Sequence, residues 1–333
     1  MEKITILSVY HSLESRRLLE LNYELTKKLN PNSQFTWILA DNTVSTFADK
    51  MPNDGRFMIV PGISGIESVP AEIPQWIKPS FHHNTAMNGS IKYANTRYAL
   101  FLDSDFYVLQ KDWIENAISH MQKKNLTFLG SPWHPKAYRV FRYFPCHQCL
   151  FVDFDKLREA GYNPEDLDFT PLEYDDAPQK PPAKRFGKLS RILNIFNFKE
   201  RRMIGQEKHT AHRLFEKFST NPKIKFEVIP AVFKPGRESY PAANLIYSLN
   251  KFFEFLLPDK LCYIPKDKFY YSTERFKKIG YCDAWSKGWE EYVWNNKPFG
   301  IHVRPIKQIK KGHSLEEIIV ILKECFLSFN VRL

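Results

Sequence analysis

The chain of 333 residues lacks any long hydrophobic run. The longest candidate, 245–257, is interrupted by Asn250, Lys251 and Glu254, and it falls short of the roughly 18 apolar residues that cross a bilayer. The apolar stretch at 4–10 is too short for the hydrophobic region of a signal peptide, and no cleavage site follows it. From the sequence we therefore expect a soluble, cytoplasmic protein.

Glycine is scarce, with 13 residues in the whole chain. No glycine-rich phosphate-binding loop stands near the N-terminus, where nucleotide-binding folds of several classes carry one. Its absence argues against a nucleotidyltransferase, an enzyme class that also uses a metal and a nucleotide.

Cysteine is also sparse, with five residues. Cys146 and Cys149 form the only close pair, and no second pair stands at the spacing that a structural zinc site requires. The pair runs directly into the apolar residues 150–152, whereas a redox-active pair is expected at the start of a helix. We expect reduced, inert thiols in a reducing compartment.

Positive charge and aromatic side chains are plentiful. Lys and Arg number 48 against 37 Asp and Glu, which gives a net charge of +11, and the chain has 27 Phe and 16 Tyr. A basic surface attracts anions. Charge alone does not choose among nucleotides, phospholipid head groups, acidic glycans and nucleic acid.

The most informative segment is the apolar run 98–102, which is followed by Asp103, Ser104 and Asp105. The run predicts a buried strand, and the alternation of side chains along an extended chain places both carboxylates on one side of its C-terminal end. Open α/β sheets bind ligands at that edge. Two carboxylate oxygens there suit Mg²⁺ or Mn²⁺, which commonly bridges to phosphate. A solvated Asp-Ser turn is the alternative.

Hydrophobic spacing predicts alternating strands and helices, which is typical of an α/β sheet with helices on both faces. Asp112 and Ser314 are the predicted N-caps of the third and the last helix. The region 244–295 is aromatic-rich and is predicted to be irregular. The predicted strands are 4–10, 35–40, 57–60, 98–102, 126–129, 150–152, 225–229 and 299–303, and the predicted helices are 13–29, 83–94, 113–123, 206–218 and 315–327.

Four motifs follow one another in a characteristic order. They are HNTAMNGSIKYA (83–94), DSD (103–105), GQEKHTAHRL (205–214) and FGIHVR (299–304). In this order they resemble the nucleotide-sugar glycosyltransferases of the GT-A fold, particularly the family 2-like members. The resemblance covers roughly residues 4–215 and the short piece around His302.

This resemblance implies a GT-A (Rossmann-like) mixed sheet flanked by helices, with a basic insertion and an aromatic-rich C-terminal extension. The implied nucleotide-sugar-binding and catalytic domain is 1–230, with a flexible basic insertion at 171–204. The extension 231–333 is expected to complete the active site.

The resemblance also implies a metal-dependent, inverting hexosyl transfer that could serve synthesis of cell-envelope polysaccharide or glycolipid. Asp103, Asp105 and His302 would hold Mn²⁺ or Mg²⁺ on the diphosphate. Glu207 would be the general base, although the family's usual Glu-Asp pair is Gln206-Glu207 here. The donor would be a UDP- or GDP-sugar and the acceptor a glycan or a lipid-linked sugar. The implied nucleotide-sugar-binding residues are Val9, Tyr10, His11, Asp41, Asn88, Lys92, Asp103 and Ser104.

The segment 178–202 is rich in Lys and Arg and carries apolar residues at helical spacing, namely Phe186, Leu189, Leu193 and Phe196. One interpretation is a peripheral contact with the inner face of a membrane that contains anionic lipid. The other is a helix packed on its own protein with a solvated basic face.

Two other functions stay open at the level of sequence. One is a transferase of the same fold that retains the anomeric configuration. The other is a non-catalytic protein that binds a nucleotide or another anion, which includes a protein that binds nucleic acid through the basic insertion. For the glycosyltransferase, we expect no nucleic acid partner.

Overall fold

We analysed a computed structural model of the chain. It describes residues 2–43, 54–63, 65–73, 75, 77–135, 142–171, 209–233, 270–272, 275–276, 287–304, 309, 312–329 and 331. The strands are β1 (Ile4–Tyr10), β2 (Phe35–Asp41), β3 (Phe57–Pro61), β4 (Tyr98–Leu102), β5 (Phe106–Val108), β6 (Phe128–Gly130), β7 (Cys149–Asp153), β8 (Phe226–Val228), β9 (Ala231–Phe233), β10 (Tyr270–Ser272), β11 (Glu290–Trp294) and β12 (Lys297–His302). The helices are α1 (Leu13–Leu29), α2 (Lys78–Ser90), α3 (Trp113–Lys124), α4 (Phe154–Glu159), α5 (His212–Phe218) and α6 (Leu315–Ser328).

The larger sheet has seven strands in the order β3-β2-β1-β4-β7-β6-β8. The first four of these strands are parallel to one another, β7 is antiparallel to both of its neighbours, and β6 and β8 are parallel. The predicted mixed α/β sheet is therefore confirmed.

Helices cover both faces of this sheet because its strands are apolar on both sides. In β1, Ile6 and Tyr10 belong to one apolar cluster, which also contains residues of α1, α3 and α6. Leu7 and Val9 point the other way into a second cluster with residues of α2, α4 and α5. The alternation of side chains along the strand thus divides the core into two layers.

The smaller sheet has the order β10-β9-β11-β12-β5. Its β5 comes directly after Asp105, and it pairs antiparallel with β12, so that His302 lies opposite Phe106. The C-terminal strands are thereby joined to the DSD segment. The division into domains at residue 230 stays a prediction. None of the helices in the described part of the chain is long and apolar enough to cross a membrane.

Three local predictions were wrong. The second helix begins at Lys78 rather than 83, with Pro79 in its first turn, and it ends at Ser90, before a 3₁₀ turn at Ile91–Tyr93. Asp112 has a left-handed backbone and makes no capping bond with its side chain; Asn30 Oδ1 instead accepts the Ile114 N–H at 2.9 Å. Part of the region predicted to be irregular forms β10 and β11.

Other local predictions were confirmed. Ser314 forms a capping box with Glu317 at the start of α6. The first strand and helix lie where the sequence places them. The helix predicted at 206–218 is confirmed only from His212 as α5. Residues 209–211 are not helical, and residues 206–208 lie outside the described part of the chain.

Candidate metal and nucleotide site

The candidate site lies at the C-terminal edge of the parallel strands. Because β1, β2 and β4 are parallel, the residues that follow them, His11, Asn42 and Asp103, emerge at one edge of the sheet. The antiparallel β7 starts at this same edge, since Cys149 pairs with Leu102. Residues just before β7 are therefore neighbours of Asp103, and the Asp103 N–H donates to the Gln148 carbonyl at 3.0 Å.

The DSD segment forms a tight turn between the two sheets. The Phe106 N–H donates to the Asp103 carbonyl at 3.0 Å, which closes the turn, and the Val303 N–H donates to the Asp105 carbonyl at 3.0 Å. Asn22 of α1 is buried, and it supports the turn by donating to the Phe106 carbonyl at 2.8 Å. The backbone of both aspartates is thereby held in place.

His302 lies beside the two aspartates, and its role as a metal ligand stays a prediction. Its Nε2 lies 3.1 Å from Asp105 Oδ1 and 3.8 Å from Asp103 Oδ2. One ligand atom from each of the three residues lies within 4.8 Å of the others. Two carboxylates and one imidazole on a half-buried surface form a donor set that fits Mn²⁺ or Mg²⁺.

A buried carboxylate behind His302 was not predicted from the sequence. Glu290 lies opposite His302 on β11, and its Oε2 accepts from His302 Nδ1 at 3.0 Å. Arg304 donates to both oxygens of Glu290, at 3.0 and 3.3 Å. This arrangement fixes the ring so that Nε2 faces the aspartates, as a carboxylate behind a metal-bound histidine does.

The charges of the site affect one another strongly. Burial by itself would lower the pKa of His302, but the carboxylates of Asp105 and Glu290 outweigh it and raise the pKa to about 9. Burial would raise the pKa of Asp103, but His147, His83 and His302 hold it well below its usual range. In the absence of a metal, a proton on His302 therefore balances the aspartates at neutral pH.

Two further histidines, which the sequence did not identify, lie on the other side of Asp103. His83 Nε2 of α2 is 3.4 Å from Asp103 Oδ1, and His147 Nε2 is 3.8 Å from the same oxygen. Burial lowers the pKa of His147 to about 3, so this imidazole is neutral. The antiparallel pairing of β4 and β7 brings His147 here, and sequence spacing carries no signal for it.

The residues predicted to contact the nucleotide at the ends of β1 and β2 differ in exposure. Val9 and Tyr10 have side chains fully buried in opposite core layers, whereas His11 is exposed. Asp41 Oδ1 accepts from the N–H and the hydroxyl of Thr43, at 2.8 and 2.6 Å. All four lie at the C-terminal edge of the parallel strands. Their contact with a nucleotide stays a prediction.

Two predicted residues lie on and just after α2. The amide of Asn88 is engaged by the protein, because Nδ2 donates to Asp168 at 2.9 Å and Oδ1 accepts from the Phe169 N–H at 3.1 Å. Lys92 is exposed after the end of α2, near the start of β4. The length of β4, roughly 16 Å at about 3.3 Å per residue, separates that end from Asp103. The contact of Asn88 and Lys92 with a nucleotide sugar stays a prediction.

Ser104 is half-buried between the two aspartates, and its carbonyl lies 3.4 Å from Asn22 Nδ2. Glu207, the predicted base, and the segment 178–202 lie outside the described residues.

Several solved structures are similar to parts of this chain, although no protein-family model and no curated protein matches its sequence. S. aureus TarS 1–349 in complex with UDP-GlcNAc is 14% identical, with 51% of this chain and 48% of that chain covered and a TM-score of 0.34. The mannosyltransferase PcManGT from Pyrobaculum calidifontis in complex with GDP-Man and Mn²⁺ is 13% identical, with 69% and 57% covered and a TM-score of 0.35. The galactosyltransferase LgtC in complex with donor and acceptor sugar analogs is 14% identical, with 46% and 59% covered and a TM-score of 0.33.

The chain spans about half the length of TarS 1–349 and less than two thirds of the other two structures. All three TM-scores lie below 0.5. The functional proposal therefore rests on the geometry of the site in this chain.

Proposed function

We propose that this protein is a metal-dependent glycosyltransferase that moves a hexose from a nucleoside diphosphate sugar to a hydroxyl acceptor. One observation carries the proposal: Asp103, Asp105 and His302 converge at the C-terminal edge of the sheet, with their ligand atoms within 4.8 Å of one another. That edge is where open α/β sheets bind nucleotides.

The two aspartates and His302 would hold Mn²⁺ or Mg²⁺. A divalent ion bound there supplies a Lewis acid that stabilises the charge of a departing nucleoside diphosphate. Glu290 would keep His302 in the tautomer that presents Nε2 to the ion, because it accepts a hydrogen bond from Nδ1.

The donor in this proposal is a UDP- or GDP-sugar. Its base and ribose would lie over the ends of β1 and β2, next to His11 and Asp41, and its diphosphate next to Asp103 and Ser104. The half-buried turn at Asp103 and the exposed His11 leave this edge accessible.

The proposed transfer inverts the anomeric centre, with Glu207 as the base that removes a proton from the acceptor hydroxyl. The proposed acceptor is a glycan or a lipid-linked sugar. A cytoplasmic location with a peripheral membrane contact through 178–202 belongs to the same proposal, and it rests on the sequence of that basic segment.

The proposal is tested by the release of free UDP or GDP from a panel of sugar nucleotides, with Mn²⁺ and with a chelator. We expect at least one donor to be hydrolysed or transferred only when the metal is present. If no donor is bound or consumed, and the chelator changes nothing, the transferase function is wrong.

A matched pair of variants makes this test specific. Asp105→Asn removes a metal ligand, and we expect it to abolish nucleotide release. Asp112→Asn makes the same chemical change away from the site, where Asn tolerates the left-handed backbone and the side chain makes no capping bond. We expect Asp112→Asn to keep full activity.

A further inference from the structure

The described part of the chain holds a second group of potential metal ligands beside the DSD site. It consists of His83, Asp103 and His147, and one ligand atom from each lies within 4.8 Å of the other two. The three residues come from α2, from the end of β4 and from the turn before β7. They meet only because α2 covers this face and β7 runs antiparallel to β4.

Two buried atoms of this group that face each other lack hydrogen-bond partners. His83 Nε2 and Asp103 Oδ1 are both inaccessible to solvent and neither makes a hydrogen bond, although they lie 3.4 Å apart. His147 is 5% exposed, and its Nε2 points at the same oxygen from 3.8 Å. Leaving buried polar atoms unpaired is costly, so their convergence on one point requires an explanation.

A metal ion explains these distances better than direct hydrogen bonds do. Two ligand atoms that each lie about 2.1 Å from an ion are roughly 3.0 to 3.4 Å apart in octahedral or tetrahedral geometry. The two distances to Asp103 Oδ1 are at or slightly above this range and beyond the usual length of a hydrogen bond.

The neighbouring histidine of α2 provides a useful contrast. His82 is also buried, but its Nε2 lies 2.7 Å from the Ile63 carbonyl, and it therefore has a structural partner. His83 differs from it in having no such partner and in facing a carboxylate.

We propose that His83, His147 and Asp103 bind a second divalent ion, and that Asp103 bridges it to the ion held by Asp105 and His302. Oδ1 of Asp103 faces His83 and His147, while Oδ2 faces His302. Each carboxylate oxygen would therefore bind one of the two ions. Two imidazoles and one carboxylate favour Zn²⁺ or a similar first-row ion, whereas the two-carboxylate site favours Mn²⁺ or Mg²⁺. Metal pairs of this kind clamp two oxygens of one phosphate-containing ligand.

The second site does not depend on the proposed transfer of a sugar, and it is tested by counting ions. Protein stripped with a chelator is equilibrated with Zn²⁺ alone, freed of excess metal and analysed for bound zinc per chain. We expect His147→Gln and His83→Gln each to bind one ion fewer than the wild type. His120→Gln makes the same change at a histidine that pairs with Glu227 Oε1 at 3.0 Å, and we expect it to bind as many ions as the wild type.

If His147→Gln and His83→Gln keep the wild-type zinc content, the second site does not exist. Circular dichroism shows whether each variant is folded. Should both variants unfold, anomalous diffraction at the zinc edge from wild-type crystals gives the answer. Two peaks on either side of Asp103 are expected, and the absence of a peak between His83 and His147 would overturn the proposal.

Discussion

Glu290 and His302 lie directly opposite each other on β11 and β12, and the imidazole Nδ1 donates to Glu290 Oε2 at 3.0 Å. The pair is almost completely buried, and Arg304 balances the carboxylate from the other side. The bond decides which nitrogen faces the aspartates. Glu290 therefore sets which nitrogen of His302 is available to the proposed metal ion.

Replacing Glu290 by Gln should weaken metal binding while all three ligands stay in place. The neutral amide holds the imidazole less firmly and lowers its basicity as a ligand. Loss of such a partner typically costs about 10-fold to 100-fold in metal affinity. Calorimetric titration of metal-free protein with Mn²⁺ measures this effect.

Glu227→Gln is the matched control for this prediction. Glu227 also accepts from a histidine, His120, at 3.0 Å, but it lies on β8, away from the aspartates. Its replacement should leave the affinity for Mn²⁺ unchanged. Equal affinities for Glu290→Gln and the wild type would show that Glu290 does not position His302.

Metal binding at the DSD site should depend on pH through His302. The pKa of this residue is raised to about 9 in the metal-free protein, chiefly because the nearby carboxylates outweigh its burial. Below that value an incoming ion must displace the proton, so the affinity should rise about tenfold per pH unit and level off above it.

Calorimetric titrations with Mn²⁺ between about pH 6.5 and 8.5 measure how the metal affinity depends on pH. Repeating them in buffers of different ionisation enthalpy gives the number of protons released, which we expect to be about one per ion. His302→Gln should bind more weakly and without this dependence on pH. A wild-type affinity that stays constant over this range contradicts the assigned protonation state.

Much of the site could be predicted from the sequence because its signals are local. The apolar run before Asp103 and Asp105 predicted both the strand and the sheet edge that the carboxylates occupy. His302 was predicted because it stands in the motif FGIHVR near the end of the chain, where the glycosyltransferases that the sequence resembles carry a histidine. The register between β5 and β12 then brings His302 to Asp105.

The partners of these residues could not be predicted, because they depend on pairing between distant strands. His147 reaches Asp103 through the register of β4 with β7, and Glu290 reaches His302 through that of β11 with β12. Neither residue stands in a recognisable local pattern. The start of the second helix was wrong for a different reason: the helix begins at Lys78, and Pro79 in its first turn is a local signal for that start.

Gly130 is expected to be essential for the stability of the sheet beside the site. A Cβ atom at this position would lie 2.2 Å from the Cys149 carbonyl oxygen, which is backbone and cannot easily move. Gly130→Ala should therefore lower the free energy of unfolding by about 1 to 3 kcal/mol. It should also disturb the turn before β7 that carries His147. Urea denaturation measures the loss.

Gly89→Ala is the natural control. Gly89 lies in α2, and a Cβ atom there meets nothing within 4 Å. This substitution should raise the free energy of unfolding by about 0.5 to 1 kcal/mol, because alanine loses less conformational entropy in a helix. If both substitutions change stability in the same direction, the close approach of β6 and β7 is not as described.

The central claim is that a divalent ion binds between Asp103, Asp105 and His302 and meets the diphosphate of a nucleotide. Anomalous diffraction at the manganese edge, from crystals grown with Mn²⁺ and UDP, tests it most directly. The account predicts a peak within coordination distance of Asp105 and His302, with the diphosphate of UDP bound to the same ion. A manganese ion and UDP bound elsewhere, with no peak between these three side chains, would contradict it.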